Sequence, residues 1–166
     1  ELFTFFKDLY PRLSYWFAWF LRSQNGVKEF TFRWRGRTKD HTLSSGLDDF
    51  PRSVEPSVSE LHVDLSSWLA YSGGVIKEIA EIIGEHTATF EHYNTEIVKS
   101  LELFWNEEQG IYSDIVHYNK TSKSVTYSQH IGYVNLFPLM LGLIPNDSPR
   151  LLSIFSYIQN PLHLWS

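Results

Sequence analysis

The chain has 166 residues, enough for one domain with a hydrophobic core, and its 43% hydrophobic content reads as globular rather than disordered. Its net charge is −5 with acids spread along its length and no basic stripe, which excludes nucleic acid as an expected partner. It has no cysteine, so disulfides, zinc–thiolate sites and cysteine nucleophiles drop out together, while the compartment stays unassigned.

The N-terminal stretch ELFTFFKDLYPRLSYWFAWFLRSQ is apolar, but Lys7, Asp8, Pro11 and Arg12 interrupt it before any run of about 18 apolar residues forms. It lacks the basic start and small-residue cleavage site of a signal peptide. A membrane contact is therefore expected only through an anchor outside this chain. A start on Glu1 rather than Met suggests a piece of a longer chain. Residues 2–9 and 12–24 read as one helix broken near Pro11, or as two, with Leu9, Leu13, Trp16, Phe17 and Phe20 on the core face. Gln24-Asn25-Gly26 is the stop signal.

Residues 29–38 alternate Phe30, Phe32 and Trp34 with Thr31, Arg33 and Arg35, which suggests a short extended segment. Two readings fit it equally: an indole platform with guanidinium forks that hold a sugar, or a solvated edge strand guarded by charge. Residues 39–59 form a long loop, punctuated by Ser44-Ser45-Gly46, Pro51 and Pro56, and its acids favour a functional role. A helix is expected over 57–84, with a bend or split at Gly73-Gly74 and Gly84 as C-cap. Within it Glu60 and Asp64 stand four apart, on one side of a helical turn.

The next helix is expected over 86–106, with Phe90, Tyr93, Ile97, Leu101 and Phe104 on one face. Tyr112, Ile115, Val116 and Tyr118, a turn at 119–122, then Val125 and Tyr127 read as a small hairpin. Asn119-Lys120-Thr121 is a glycosylation sequon if the chain is luminal. A nearly all-apolar helix over 133–144 and a last helix over 148–158 complete the chain. The seven histidines are scattered without ligand spacing, so no metal and no cofactor is expected.

The stretch 41–68 concentrates the chemistry: Asp48, Asp49, Arg52, Glu60, Asp64 and Trp68 follow one another there. At a sugar site one carboxyl donates a proton to the leaving oxygen, while the other takes a proton from water or attacks the sugar. Asp48 and Asp49 are adjacent, so only one need face the sugar, and the negative neighbour raises the pKa of an acid. Alternatively the pair only caps turns.

RWRGRT, HTLSSGLDDFPR, PSVSELHVDLSSW, QHIGYVNLFPLMLGLIP and PLHLWS together resemble the catalytic domain of the processing α-glucosidases of glycoside hydrolase family 63, from about Tyr10 to Ser166. The resemblance implies a mainly α chain forming part of an (α/α)6 toroid, with the small β-hairpin as an excursion. It implies an inverting hydrolase of the endoplasmic reticulum lumen that removes the terminal α-1,2-linked glucose from the glucosylated N-glycan precursor. By the same match Asp48 is the general acid, and the general base lies outside this chain. Arg33, Trp34 and Arg35 match a wall of the sugar pocket, Arg52 closes the SGLDDFPR block, and Asp49, Glu60, Asp64 and Trp68 bind or support the sugar. Phe50 departs from the family's usual tyrosine, and Ser66-Ser67 from its arginine–cysteine pair. Trehalases share the toroid and a similar Ser-Gly-x-Asp signature, so a trehalase-like or other toroid glycosidase is the alternative, together with a truncated non-catalytic remnant.

Overall fold

The computed structural model describes residues 1–38, 40, 43–47, 50–53 and 55–163. Helix α1 (Leu2–Ser23) runs unbroken through Pro11. Proline removes one helical N–H, and Pro11 lies on the exposed side, where water can take up the orphaned Lys7 carbonyl. Phe17 is the buried centre of the helix, flanked by Tyr10, Leu13, Phe20 and Leu21. Trp16 and Trp19, by contrast, are about half exposed. The helix ends where the Gln24 amide donates to the Phe20 carbonyl at 2.9 Å.

The 29–38 segment is not a regular strand. Phe30 sits in a turn at φ 56°, and the segment forms isolated bridges, Phe32 with Asn25 among them, rather than a ladder. Side chains therefore do not simply alternate: Thr31 and Phe32 are both buried.

Helix α2 (Val63–Ile83) begins six residues later than the sequence suggests. The cause is long-range. Leu61 and Ile115 exchange backbone hydrogen bonds at 2.9 Å in both directions, and the His62 amide donates to the Phe32 carbonyl at 2.8 Å. With these amides engaged by neighbouring segments, residues 60–62 stay extended and His62 becomes the N-cap. Glu60 and Asp64 thus do not share a helical turn.

Gly73 and Gly74 do not split α2, which continues through them to Ile83. A Cβ on Gly73 would stand 3.3 Å from Phe17 and 3.5 Å from the Asn94 Cβ, so the glycines let α1 and helix α3 (Ala88–Ser100) close on α2 from two sides. The Asn94 amide seals that contact by donating to the Ala70 carbonyl at 2.7 Å. Gly84 is the left-handed C-cap, at φ 77°.

Helix α3 is shorter than the expected 86–106, because a 3-10 turn at Leu101–Phe104 leads into β1 (Trp105–Asn106). Strand β1 pairs antiparallel with β2 (Ile111–Tyr112), and β3 (Ile115–Tyr118) with β4 (Val125–Tyr127), the expected hairpin. The expected 133–144 helix is reduced to a 3-10 turn at Tyr133–Leu136 and one α turn, α4 (Phe137–Met140). Asn135 holds it there: its side chain accepts from the Gly132 amide and donates to the Tyr112 carbonyl. Helix α5 (Arg150–Gln159) closes the described chain. One core cluster joins α1, α2 and α3. A second joins Leu61, Val63, the hairpins, Val134, Leu136 and α5. No helix among the described residues is long and apolar enough to cross a membrane.

Candidate functional site

Two charged clusters meet where α2 starts, at the seam between the two cores. The first is centred on Arg52, buried to 3% exposure. Its Nη1 donates to Asp64 at 3.1 Å and to Asp114 at 2.6 Å, and its Nη2 donates to the other Asp64 oxygen. Asp114 also accepts the Val63 amide at 2.8 Å, and Asp64 accepts the Leu65 amide at 2.8 Å and the Trp34 indole N–H at 3.1 Å. Both carboxylates therefore stand at the positive end of α2, where the helix dipole favours them. Burial lowers the Arg52 pKa, but Asp114 and Asp64 outweigh it and the net shift is upward, so the guanidinium stays charged. Burial pushes the Asp114 carboxyl up, with Arg52 pulling against it.

The second cluster is Glu60, His62 and Arg37. Glu60 accepts from the Ser53 hydroxyl through Oε1, and its Oε2 lies 3.5 Å from His62 Nε2 and 3.7 Å from Arg37 Nε. His62 Nδ1 accepts the Trp34 backbone N–H at 2.9 Å, which leaves the imidazole proton on Nε2. Burial first, and then Arg52, Arg37 and Arg33, drive the His62 pKa well below its usual value, so the ring is neutral at pH 7. Burial raises Glu60 against the pull of Arg37 and Arg33, and burial lowers Arg37. Arg37 Nε, Glu60 Oε2 and His62 Nε2 are buried and have no hydrogen-bond partner among the described residues. Two donors thus face one acceptor at ion-pair rather than hydrogen-bond distance, in a closed cluster buried from solvent.

Trp34 joins these clusters to an apolar groove of ≈ 450 Å³ between α1 and α2, whose walls include Leu13, Trp16, Phe20, Trp68 and Val75. Trp68 is 42% exposed and meets Phe137 edge to face, ring centres 5.7 Å apart.

The candidate residues therefore separate. Arg52, Glu60, Asp64 and Trp34 come together. Arg33 stands beside them, its guanidinium donating to the Ser57 carbonyl at 2.9 Å. Arg35 turns away and donates to the Asn25 side chain at 2.6 Å. Trp68 lies one helical turn beyond Asp64, on the groove. Asp48 and Asp49 lie outside the described residues, and the stretch bearing them runs between a 3-10 turn at Leu43–Ser45 and the anchored Arg52. Sequence reasoning missed Asp114, His62 and Arg37. Asp114 had one local signal, a charge among strand formers at the junction of two hairpins. Arg37 follows the turn at Gly36, which reverses it inward from Arg35. No three or more metal-ligating side chains cluster among the described residues.

The fold is one found among glycoside hydrolases. A mannosylglycerate hydrolase of that class from Thermus thermophilus, solved in complex with glucose, superposes with a TM-score of 0.50 at 15% identity, over 60% of this chain and 24% of its own. The family model for the glycosyl hydrolase family 63 C-terminal domain matches residues 1–166, and the chain belongs to that family. A probable mannosyl-oligosaccharide glucosidase of Schizosaccharomyces pombe is 39% identical over 98% of this chain and 21% of its own length. The Saccharomyces cerevisiae mannosyl-oligosaccharide glucosidase is 31% identical over 96% of this chain and 22% of its own, and an Arabidopsis thaliana one 32% identical over 100% and 24%. The chain thus spans only about a fifth to a quarter of the length of these relatives.

Proposed function

We propose that this chain is the acid-bearing part of an inverting α-glucosidase that removes the terminal α-1,2-linked glucose from the glucosylated N-glycan precursor. The observation that carries this reading is the family match over residues 1–166, joined to relatives at 31–39% identity whose names are mannosyl-oligosaccharide glucosidase. The work is luminal, in the endoplasmic reticulum, with any membrane anchor outside this chain, and the helices form part of an (α/α)6 toroid.

In this mechanism Asp48 donates its proton to the glycosidic oxygen. That oxygen leaves with the electron pair of the broken C–O bond. A carboxylate outside this chain takes a proton from water, which forms the new C–O bond from the opposite face, so configuration inverts. Inversion requires the two carboxyls about 6.5–9.5 Å apart. The chain's own contribution is placement. Arg52, four residues after Asp48, ties the acid-bearing segment to Asp64 at the start of α2 and to Asp114 between the hairpins. Glu60, paired with Arg37 and His62, accepts the Ser53 hydroxyl and so braces the same segment from a second side. Trp34 and Arg33 stand at their edge.

The test is Asp48→Asn in the full-length protein, assayed on a glucosylated oligosaccharide. Turnover should fall by roughly 10²–10⁴-fold, the usual share of general acid catalysis, with circular dichroism unchanged. Activity within tenfold of wild type would sink the assignment. A second reading, another α-glucosidase specificity, is favoured by the Arabidopsis thaliana α-glucosidase 2, 28% identical over 100% of this chain. Substrate profiling separates them, because only the first prefers glucose α-1,2-linked on a branched glycan.

A further inference from the structure

The tip of the β3–β4 hairpin carries a feature that the glucosidase reading does not use. Residues 119–124 are all exposed there. The loop is closed by the Tyr118–Val125 pair and by the Asn119 amide, which donates to the Ser124 carbonyl at 3.0 Å. The Asn119 side-chain oxygen accepts the Thr121 amide at 2.9 Å and the Ser122 amide at 3.1 Å. Its nitrogen makes no hydrogen bond among the described residues, so both of its N–H groups face outward. We propose that Asn119 is an N-glycan acceptor, with Thr121 as the hydroxyl residue of its Asn-x-Thr recognition triplet.

The co-reactant is an oligosaccharide joined through its anomeric carbon to a polyprenyl diphosphate. A base on the transferase takes one proton from Asn119 Nδ2. The nitrogen forms the new bond to the anomeric carbon. The bond from that carbon to the diphosphate oxygen breaks, and the diphosphate leaves with the pair. Nothing in the fold opposes the product. A glycan is bulky and hydrated and needs a surface site, and the hairpin tip buries no apolar side chain at 119–124. Five residues separate Asn119 from Asp114, about 16 Å of extended chain at roughly 3.3 Å per residue, so the sugar projects away from the candidate site.

A second triplet, Asn146-Asp147-Ser148, supplies an internal contrast. Pro149 follows it directly, and Ser148 is half-buried in the entry to α5. There its amide donates to the Pro145 carbonyl at 3.0 Å and its hydroxyl accepts the Arg150 amide at 3.4 Å. The hydroxyl a transferase must engage is already committed, and the segment cannot be drawn out without fraying α5. The inference is therefore selective for Asn119.

It rests on the luminal location proposed above, and the experiment separates the two. The full-length protein is expressed in eukaryotic cells with an appended flexible tail carrying its own Asn-Gly-Thr triplet. Peptides are read by mass spectrometry before and after glycosidase release. The expected result is a glycan on Asn119. Asn119→Gln and Thr121→Ala should each lose one glycan's mobility step, Thr121→Ser should keep it, and Asn146→Gln should change nothing. A glycosylated tail with a bare Asn119 peptide overturns this proposal and leaves the luminal reading standing. A bare tail together with a bare Asn119 overturns the luminal reading and this proposal with it.

Discussion

Neutral His62 gives the fold a pH dependence whose sign follows from its surroundings. Burial and three arginines hold the folded pKa well below the 6.5 of an exposed imidazole. A depressed folded pKa contributes stability that is present above the unfolded value and lost as pH falls toward the folded one. Below pH 6.5 the unfolded chain takes up a proton that the folded chain refuses. The loss approaches about 1.4 kcal/mol per pH unit, so moving from pH 7 to pH 5.5 should cost on the order of 1 kcal/mol through this one group. Glu60 acts with the opposite sign. Its folded pKa is raised, so its contribution is present below the unfolded value and lost as pH rises through the folded one. The test is His62→Asn, which keeps an acceptor near Nδ1 for the Trp34 amide and a residue suited to an N-cap. Urea unfolding of wild type and variant is compared at pH 7 and pH 5.5, so that the other histidines cancel. Wild type should lose on the order of 1 kcal/mol more than the variant on acidification. An equal pH dependence in the two proteins would refute the neutral, buried imidazole.

Three further outcomes follow from the same geometry. Asp114→Asn puts an amide or an uncharged oxygen against Arg52 Nη1 at 2.6 Å, and with Asp64 still in place the loss should be about 3 kcal/mol, read from the urea midpoint. Trp34→Phe keeps a ring on the groove but removes the indole donor to Asp64, costing roughly 1.5 kcal/mol in the same assay, the low end for a bond to a charged group. Gly73→Val forces a side chain against Phe17 and Asn94 and should destabilise by about 1–3 kcal/mol, an overpacking cost that a variant as stable as wild type would contradict.

What could be read from the sequence was what neighbouring residues decide. The β3–β4 hairpin was legible because strand formers flank a polar turn, and Gly84 because a helix end needs a left-handed residue. The start of α2 was not. Its position depends on the Leu61 and His62 amides bonding to Ile115 and Phe32, partners that no window around residue 60 contains. The same holds for the site. Arg52, Glu60 and Asp64 stood out by type and proximity, but Asp114, which completes the Arg52 cluster, is 62 positions from its partner. The even choice between sugar platform and guarded strand at 33–35 dissolves residue by residue. Trp34 points into the cluster, Arg33 sits at its rim, and Arg35 belongs to the 24–25 turn.

The Arg52 cluster is a costly way to gain stability. A guanidinium and two carboxylates taken out of water recover in mutual attraction little more than they lose in hydration, and well-packed apolar residues often serve stability as well or better. What apolar residues cannot supply is direction. The cluster draws on four separated stretches: the segment that follows the SGLDD block, the first turn of α2, the junction between the hairpins, and the Trp34 loop. Each contributes a group whose geometry is fixed by the others. Any slip of the 50–53 segment would leave two buried carboxylates facing no cation, at about 3–5 kcal/mol for one broken pair alone. That penalty acts on position rather than on folding as a whole. It falls on a segment that begins two residues after Asp48, and the proposed role of Asp48 as proton donor requires placement to within a fraction of an ångström.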